Sequence, residues 1–224
     1  MKIIKKTLSI LLIIYLIAGV TFFTFESAVT KAQISDTIVV TAEVTDEISI
    51  GTPPADVLLA SSIPGISGNP GAPASGSATW TVKTSNTTGF NMKIKATQEP
   101  AMQLDNDYMF ANYTPAAAGS PDAVWSVPVS GSAEFGYTVE PATAGDTDTL
   151  FLDDGAGNCG TGLLNTADTC WYNFSTSDAN VIYRTTATDI NGQAEVVKFR
   201  AESNAAYLKE GYYDAQLIAT FTMN

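Results

Sequence analysis

Residues Gly211 to Thr222 read GYYDAQLIATFT, two residues from the last position of the chain. Tyr213, Ala215, Leu217, Ala219 and Phe221 fall on one side of an extended backbone. Tyr212, Asp214, Gln216, Thr220 and Thr222 fall on the other, with Ile218 the one exception. Side chains alternate across a strand, so a period of two predicts one face in a core and one in water. The same pattern recurs upstream. Phe90 to Thr97 (FNMKIKAT) sends Phe90, Met92, Ile94 and Ala96 inward, and Ala78 to Thr84 does the same with Ala78, Trp80 and Val82. Asn86-Thr87-Thr88-Gly89 lies between them, and the trio predicts a β-hairpin with a four-residue connection.

Ala133 to Glu140 places Phe135, Tyr137 and Val139 on one face, and Ala194 to Ala201 does so with Val197, Phe199 and Ala201. The Asn191-Gly192 pair before Ala194 is a tight-turn signal that predicts a hairpin back to Val181–Thr188. Shorter strands are expected at Val124–Val129, Leu150–Leu152 and Asn173–Ser177. The first strand is expected at Thr37–Val44 (TIVVTAEV), with Ile38, Val40, Ala42 and Val44 sharing a face. Gly51 to Ser77 is rich in Pro, Gly, Ser and Ala and reads as a long surface connection, with a short strand at Val57–Ile63. About nine or ten strands, with no helical period after the leader, predict an all-β protein, an Ig-like antiparallel β-sandwich.

The leader is read separately. Lys2, Lys5 and Lys6 precede an apolar run from Leu8 to Phe25, the pattern of an export signal, and Thr30-Lys31-Ala32 precedes Gln33 as a cleavage site. The run is nearly long enough to span a bilayer, so residues 1–32 are a signal peptide or an N-terminal membrane anchor forming a hydrophobic helix. Residues 33–224 then form a single β-sandwich domain, extracellular or at the cell surface, exported by the general secretory route.

The 224 residues carry a formal net charge of −12 and contain no histidine. Removing residues 1–32 removes four of 11 bases (Lys2, Lys5, Lys6, Lys31) and one of 23 acids (Glu26), leaving 7 against 22, a net of −15. Such a surface repels polyanions, which excludes nucleic acid as a partner and leaves membrane contact only to an uncleaved leader.

The two cysteines, Cys159 and Cys170, bracket a Gly- and Asn-rich stretch and are expected to pair in an exported chain. The disulfide either pins that excursion or displays it as a binding loop, with Trp171 and Tyr172 as its contact aromatics. Asp146, Asp148, Asp153, Asp154 and Asn158 are rich in oxygen, and calcium is the one cofactor the residues admit. Their spacing departs from the EF-hand pattern, so solvated turns are expected and no metal or cofactor residue is assigned. A triad that relies on histidine is excluded. Paired-carboxylate chemistry would draw on Glu134, Glu140, Glu195 and Glu202, but Glu134 and Glu140 lie on the solvent parity of their strand. No catalytic residue is expected and the protein reads as a non-enzyme. Asn86, Asn112 and Asn173 each begin an N-glycosylation acceptor triplet.

Three segments together carry a resemblance: TIVVTAEVTDEISI after the leader, EFGYTVEP in the middle, and LKEGYYDAQLIATFTMN at the end. The chain resembles the prokaryotic exported surface β-sandwich proteins, a loose group that includes WxL-like and spore-coat- or pilin-like modules. The WxL tripeptide is absent, Trp80-Thr81-Val82 being an echo of it. The resemblance therefore implies no site residues; it implies a non-catalytic envelope component that assembles. The expected role is a structural or adhesive cell-surface protein, a pilin-like filament subunit assembling by β-strand addition. Its partners would be copies of itself, other envelope proteins or glycans. The alternative is a glycan- or peptide-binding surface module using the Cys159–Cys170 loop.

Overall fold

A computed structural model describes residues 39–140 and 143–224. Among them eleven strands follow one another: β1 (Ile48–Thr52), β2 (Ala74–Thr84), β3 (Phe90–Ala96), β4 (Met102–Gln103), β5 (Met109–Asn112), β6 (Ser132–Val139), β7 (Tyr172–Asn173), β8 (Ala179–Arg184), β9 (Gln193–Asn204), β10 (Asp214–Ala215) and β11 (Leu217–Met223). Two single 3-10 turns, Ala144–Asp146 and Thr149–Phe151, are the only helical elements described. The protein is all-β, and all but one of the pairings are antiparallel; β5 and β6 run parallel. The expected leader helix and the cleavage site lie outside the described residues.

The larger sheet has eight strands, ordered β1-β2-β9-β6-β5-β4-β10, with β7 also on β6. Its spine is β9, which pairs with β2 from Ala74↔Ala201 to Val82↔Gln193 and with β6 from Ser132↔Asn204 to Val139↔Val197. The smaller sheet is β11-β3-β8. Its strand β3 alternates without a break: Phe90, Met92, Ile94 and Ala96 are buried, and the residues between them are half-exposed. One apolar core joins the inner faces of both sheets, with Val82, Val197, Phe199, Phe135 and Tyr137 from one meeting Phe90, Met92, Ile94 and Ile182 from the other. Phe135, Phe174, Tyr137 and Phe199 stack within it at centroid distances of 4.5 to 6.3 Å.

Neither expected hairpin pairs its two strands. β2 bonds to β1 and β9, while β3 bonds to β11 and β8. The Asn86–Gly89 turn therefore carries the chain from one sheet to the other. Asn191-Gly192 does the same between β8 and β9. A turn that crosses layers lets two amphipathic strands face each other apolar side to apolar side, which a flat hairpin cannot do. The closing stretch keeps its alternation but is also divided: Asp214 and Ala215 pair with β4, and from Leu217 the chain pairs with β3.

The expected strand at Thr37–Val44 is not one in its described part. Val39 to Glu47 has no regular structure, and β1 begins at Ile48. Val124–Val129 is irregular, and Leu150–Leu152 forms a 3-10 turn that exits at Leu152. The connection Gly51–Ser77 contributes more to the core than its composition suggests. Val57 and Leu59 pack over Gly76, where a Cβ would lie 2.6 Å from Val57 Cγ1, so only glycine admits them. Its last four residues, from Ala74, lengthen β2. The chain divides into two units, residues 1–43 and 44–224.

Candidate functional site

The small sheet has three strands and the large one eight, so the large sheet's inner face is not fully roofed. The gap is a groove of about 1360 Å³. Small-molecule pockets span roughly 300–1,000 Å³, so this one suits a longer occupant. Its floor is the inner face of the large sheet, including Ala74, Ala78, Trp80, Phe199 and Phe135. One wall is the stretch from Pro54 to Ile66, and the other is Tyr207 to Ile218, ending on the first residues of β11.

The lining shows an unfinished core. Val57, Leu59, Ile63, Trp80, Tyr213, Ala215 and Leu217 touch the core cluster but are only partly buried. Further along β11, Ala219 and Phe221 are half-buried as well, although Phe221 lies against Trp80 and Phe90 with centroids 6.5 and 6.4 Å apart. Every core-facing side chain of β11 is thus less covered than those of β3 beside it, which are buried.

Among the described residues strand β11 is an edge, paired only with β3. Antiparallel pairing points the backbone groups of alternate residues at the partner strand. The register Leu217↔Ala96 to Met223↔Phe90 is flanked by bonds from Thr97 N to Gln216 O (3.0 Å) and from Asn224 N to Gly89 O (3.3 Å). Residues 216, 218, 220, 222 and 224 therefore bond to β3. The N–H and C=O groups of Leu217, Ala219, Phe221 and Met223 point away from it, into open space. Exposed rows of this kind template the addition of another strand.

The same chain carries an exposed strand-like segment. Val39, Val40 and Val44 are 86 to 87 % exposed, and the residues between them are exposed too. The chain then becomes fixed at Glu47, whose N–H donates to Ser85 Oγ (2.9 Å) and whose C=O accepts from Ser85 N–H (3.1 Å) and Thr84 Oγ1 (2.8 Å).

The cysteines form a disulfide with Cα atoms 5.6 Å apart. Its loop is internally satisfied. Asp154 accepts from Ala156 N, Asn158 N and Asn158 Nδ2, and these bonds lower its pKa. Burial acts on Asp153 in the opposite sense, but donors from Thr166, Gly155 and Thr169 outweigh it and lower that pKa too. Asp148 caps the second 3-10 turn by accepting from Leu150 N, and Asp146 binds Arg184 at 2.5 Å. These acidic residues are thus spread among separate partners, and no cluster of three metal-binding side chains occurs among the described residues.

Trp171, a contact aromatic in the binding-loop alternative, is fully buried. Its indole N–H donates to Asp168 O (3.0 Å), and the Arg200 guanidinium lies over its ring at 4.1 Å. It forms a second small cluster with Tyr113 and Trp125 on the outer face of the large sheet. An indole covered on its face offers no ligand surface, so the aromatic beside the disulfide closes a loop down. Tyr172 is half-buried against Tyr137 and Phe151. Glu202 belongs to this outer region, accepting from Trp125 Nε1 (2.6 Å) and Gly71 N (2.5 Å). Glu134 is its cross-strand neighbour, and desolvation, reinforced by the Glu202 charge, raises its pKa. Glu202 is fully buried, which bars a substrate from reaching it. Among the acceptor triplets, Asn86 is buried and donates to Gly89 O and Asn224 O, so its amide serves a turn.

The sequence signal for the groove was the partial character of the closing strand, with Ile218 on its polar face. Of the exposed tyrosines at the groove mouth, Tyr212 at 82 % follows its water-facing parity in the closing stretch, while Tyr207 at 71 % had no distinguishing signal. The molecule is thus an all-β protein of antiparallel sheets with one disulfide and a strand-lined apolar groove. No family model matches the chain, and neither a curated protein nor a solved structure shows significant similarity to it.

Proposed function

We propose that this protein is an exported structural or adhesive component of a prokaryotic cell surface, built on an Ig-like β-sandwich and assembling by β-strand addition. The observation that carries the reading is the free edge of β11 over a half-buried apolar groove. Main-chain hydrogen bonds along such an edge supply affinity, and pockets for alternate side chains supply specificity. The disulfide and the basic-then-apolar leader support an oxidising location outside the cytoplasm. The high acidic charge supports a soluble, extracellular surface. No catalytic step is assigned, and the resemblance to WxL-like, spore-coat- and pilin-like modules agrees with an assembling, non-catalytic role.

Immunogold electron microscopy of intact cells tests the reading. Gold over the cell surface or over filaments supports it; a protein confined to the cytoplasmic fraction overturns it.

A second reading is a glycan- or peptide-binding surface module. The exposed Tyr207 and Tyr212 at the groove mouth favour it, in place of the Cys159–Cys170 loop. A glycan array with a Tyr212→Ala control separates the two, since a purely structural protein gives no signal on it.

A further inference from the structure

We propose that the free edge of β11, which begins at the groove with Leu217 and runs beyond it to Met223, is covered by residues Val39 to Val44 of a second copy of this chain, added as an antiparallel strand. The inference rests on the reading of β11 as a strand-accepting edge and names its partner.

Three observations converge on that occupant. The first is supply. Val39 to Val44 has the composition of a strand, with three β-branched valines and Thr41, yet it is exposed and pairs with no strand among the described residues. Exposed β-prone apolar segments are otherwise suppressed in soluble proteins, because they pair with whatever edge is available. The second is demand. The outward backbone groups of Leu217, Ala219, Phe221 and Met223 lack partners among the described residues, and the side chains of the first three are only half-covered against the core, Phe221 lying beside Trp80. The third is the match between them. A period of two puts Val40, Ala42 and Val44 on one face of the incoming strand, toward the apolar floor, and Val39, Thr41 and Glu43 on the other. The outer face of the small sheet carries Lys93 and Lys95, opposite Thr220 and Ile218; Lys95 is paired with Asp178 at 3.3 Å, so Lys93 is the lysine toward whose side Glu43 arrives.

Chain direction favours a second copy over the chain's own segment. Glu47 is bonded at Thr84 and Ser85, next to Asn86, and Asn86 bonds to Asn224 at the end of β11. A segment tethered three residues before Glu47 starts from that end and can follow β11 only in the parallel sense. Antiparallel pairing, with its perpendicular hydrogen bonds, is the more stable per residue and is open only to a strand from another molecule. Donor and acceptor then lie on different parts of each copy, so the contact is head-to-tail, and it builds rings where the rotation closes and open chains where it does not.

Complementary variants of the protein, exported from a bacterial host, test this. Val40→Asp with Val44→Asp disables the donor and leaves the acceptor intact. Ala219→Pro removes an outward-pointing N–H from an edge strand, where proline is tolerated, and leaves the ladder to β3 in place. Leu217→Arg is a second acceptor variant that leaves the backbone unchanged. Size-exclusion chromatography with light scattering reads the outcome, with circular dichroism reporting the fold of each variant. The expected result is a ladder of oligomers for the parent protein, monomers for each variant alone, and 1:1 heterodimers on mixing donor-disabled with acceptor-disabled protein. A monomeric parent protein overturns the second copy as occupant. Oligomers that survive the valine changes but are lost in both acceptor variants overturn the donor assignment and leave the strand-accepting edge standing. Oligomers that survive every variant overturn both.

Discussion

Glu195 is fully buried, and neither of its carboxylate oxygens has a hydrogen-bond partner. Burial, reinforced by Asp146 and opposed by Arg184, raises its pKa from 4.5 to about 8. The folded state therefore holds this proton more tightly than the unfolded state does. Below pH 4.5 both states are protonated and Glu195 is harmless. As pH rises from there to about 8 the unfolded chain ionises first and stability falls, by about 3–5 kcal/mol over the window. Chemical denaturation at a series of pH values should show that decline in the parent protein and its absence in Glu195→Gln. Equal slopes would mean that water or a rearranged Arg184 reaches the carboxylate. A second residue, Gly136, is set by close approach. A Cβ there would lie 2.6 Å from Tyr113 Cβ and 2.8 Å from the Tyr172 carbonyl oxygen. Gly136→Ala should cost about 1–3 kcal/mol by overpacking the join between β6 and the outer aromatic cluster, read as a lowered Tm. Gly136 was not conspicuous in the sequence. Glu195 shares the parity of Val197, Phe199 and Ala201, so residue order already turned it inward; what the fold added was its full burial, with Asp146 and Arg184 close enough to act on its charge.

Strands were legible where alternation was long and clean, as in β3 and β9, since inward parity follows directly from residue order. Partners were less legible. The turns at Asn86–Gly89 and Asn191–Gly192 look like hairpins locally, but the chain gains more by moving between sheets and burying both apolar faces. The disulfide also belongs to this scale. It closes a segment with a sequence separation of 11, in which Asp168 and Cys170 hold positive φ values of 61° and 59°. Replacing both cysteines with serine should cost about 2–3 kcal/mol in the chain-entropy account and open residues 154–164 to proteolysis before global unfolding. Limited proteolysis with mass mapping reads the site; first cleavage elsewhere would show that the loop holds itself. The edge strand β11 makes a further contrast. Phe135→Ala, deep in the core, should cost about 3–5 kcal/mol in the isolated protein. Phe221→Ala should cost only about 1–2 kcal/mol because that ring is already part-exposed. The difference should narrow in any assembled state that covers β11.

For the whole molecule, charge and topology act against each other. The chain without residues 1–32 carries a net of −15, so copies repel at long range while the open edge of β11 invites pairing. Raising ionic strength from 0.01 to 0.15 M shortens the screening length from about 30 Å to about 8 Å. Light scattering should accordingly show more and faster self-association in the higher salt. Association that weakened with salt would mean that ion pairs, rather than backbone pairing and apolar contact, bring the copies together.

Residue order alone determined that this chain makes strands, which faces turn inward, that its two cysteines could be joined, and that histidine-based catalysis is excluded. Those properties are local, fixed by side-chain alternation and by which chemical groups exist at all. Tertiary structure decided which strands pair, that Trp171 is buried beneath Arg200, and that β11 is an uncovered edge above an apolar groove. These depend on segments far apart in the chain meeting in space. An edge is defined by the strand that is missing beside it, which no single segment encodes.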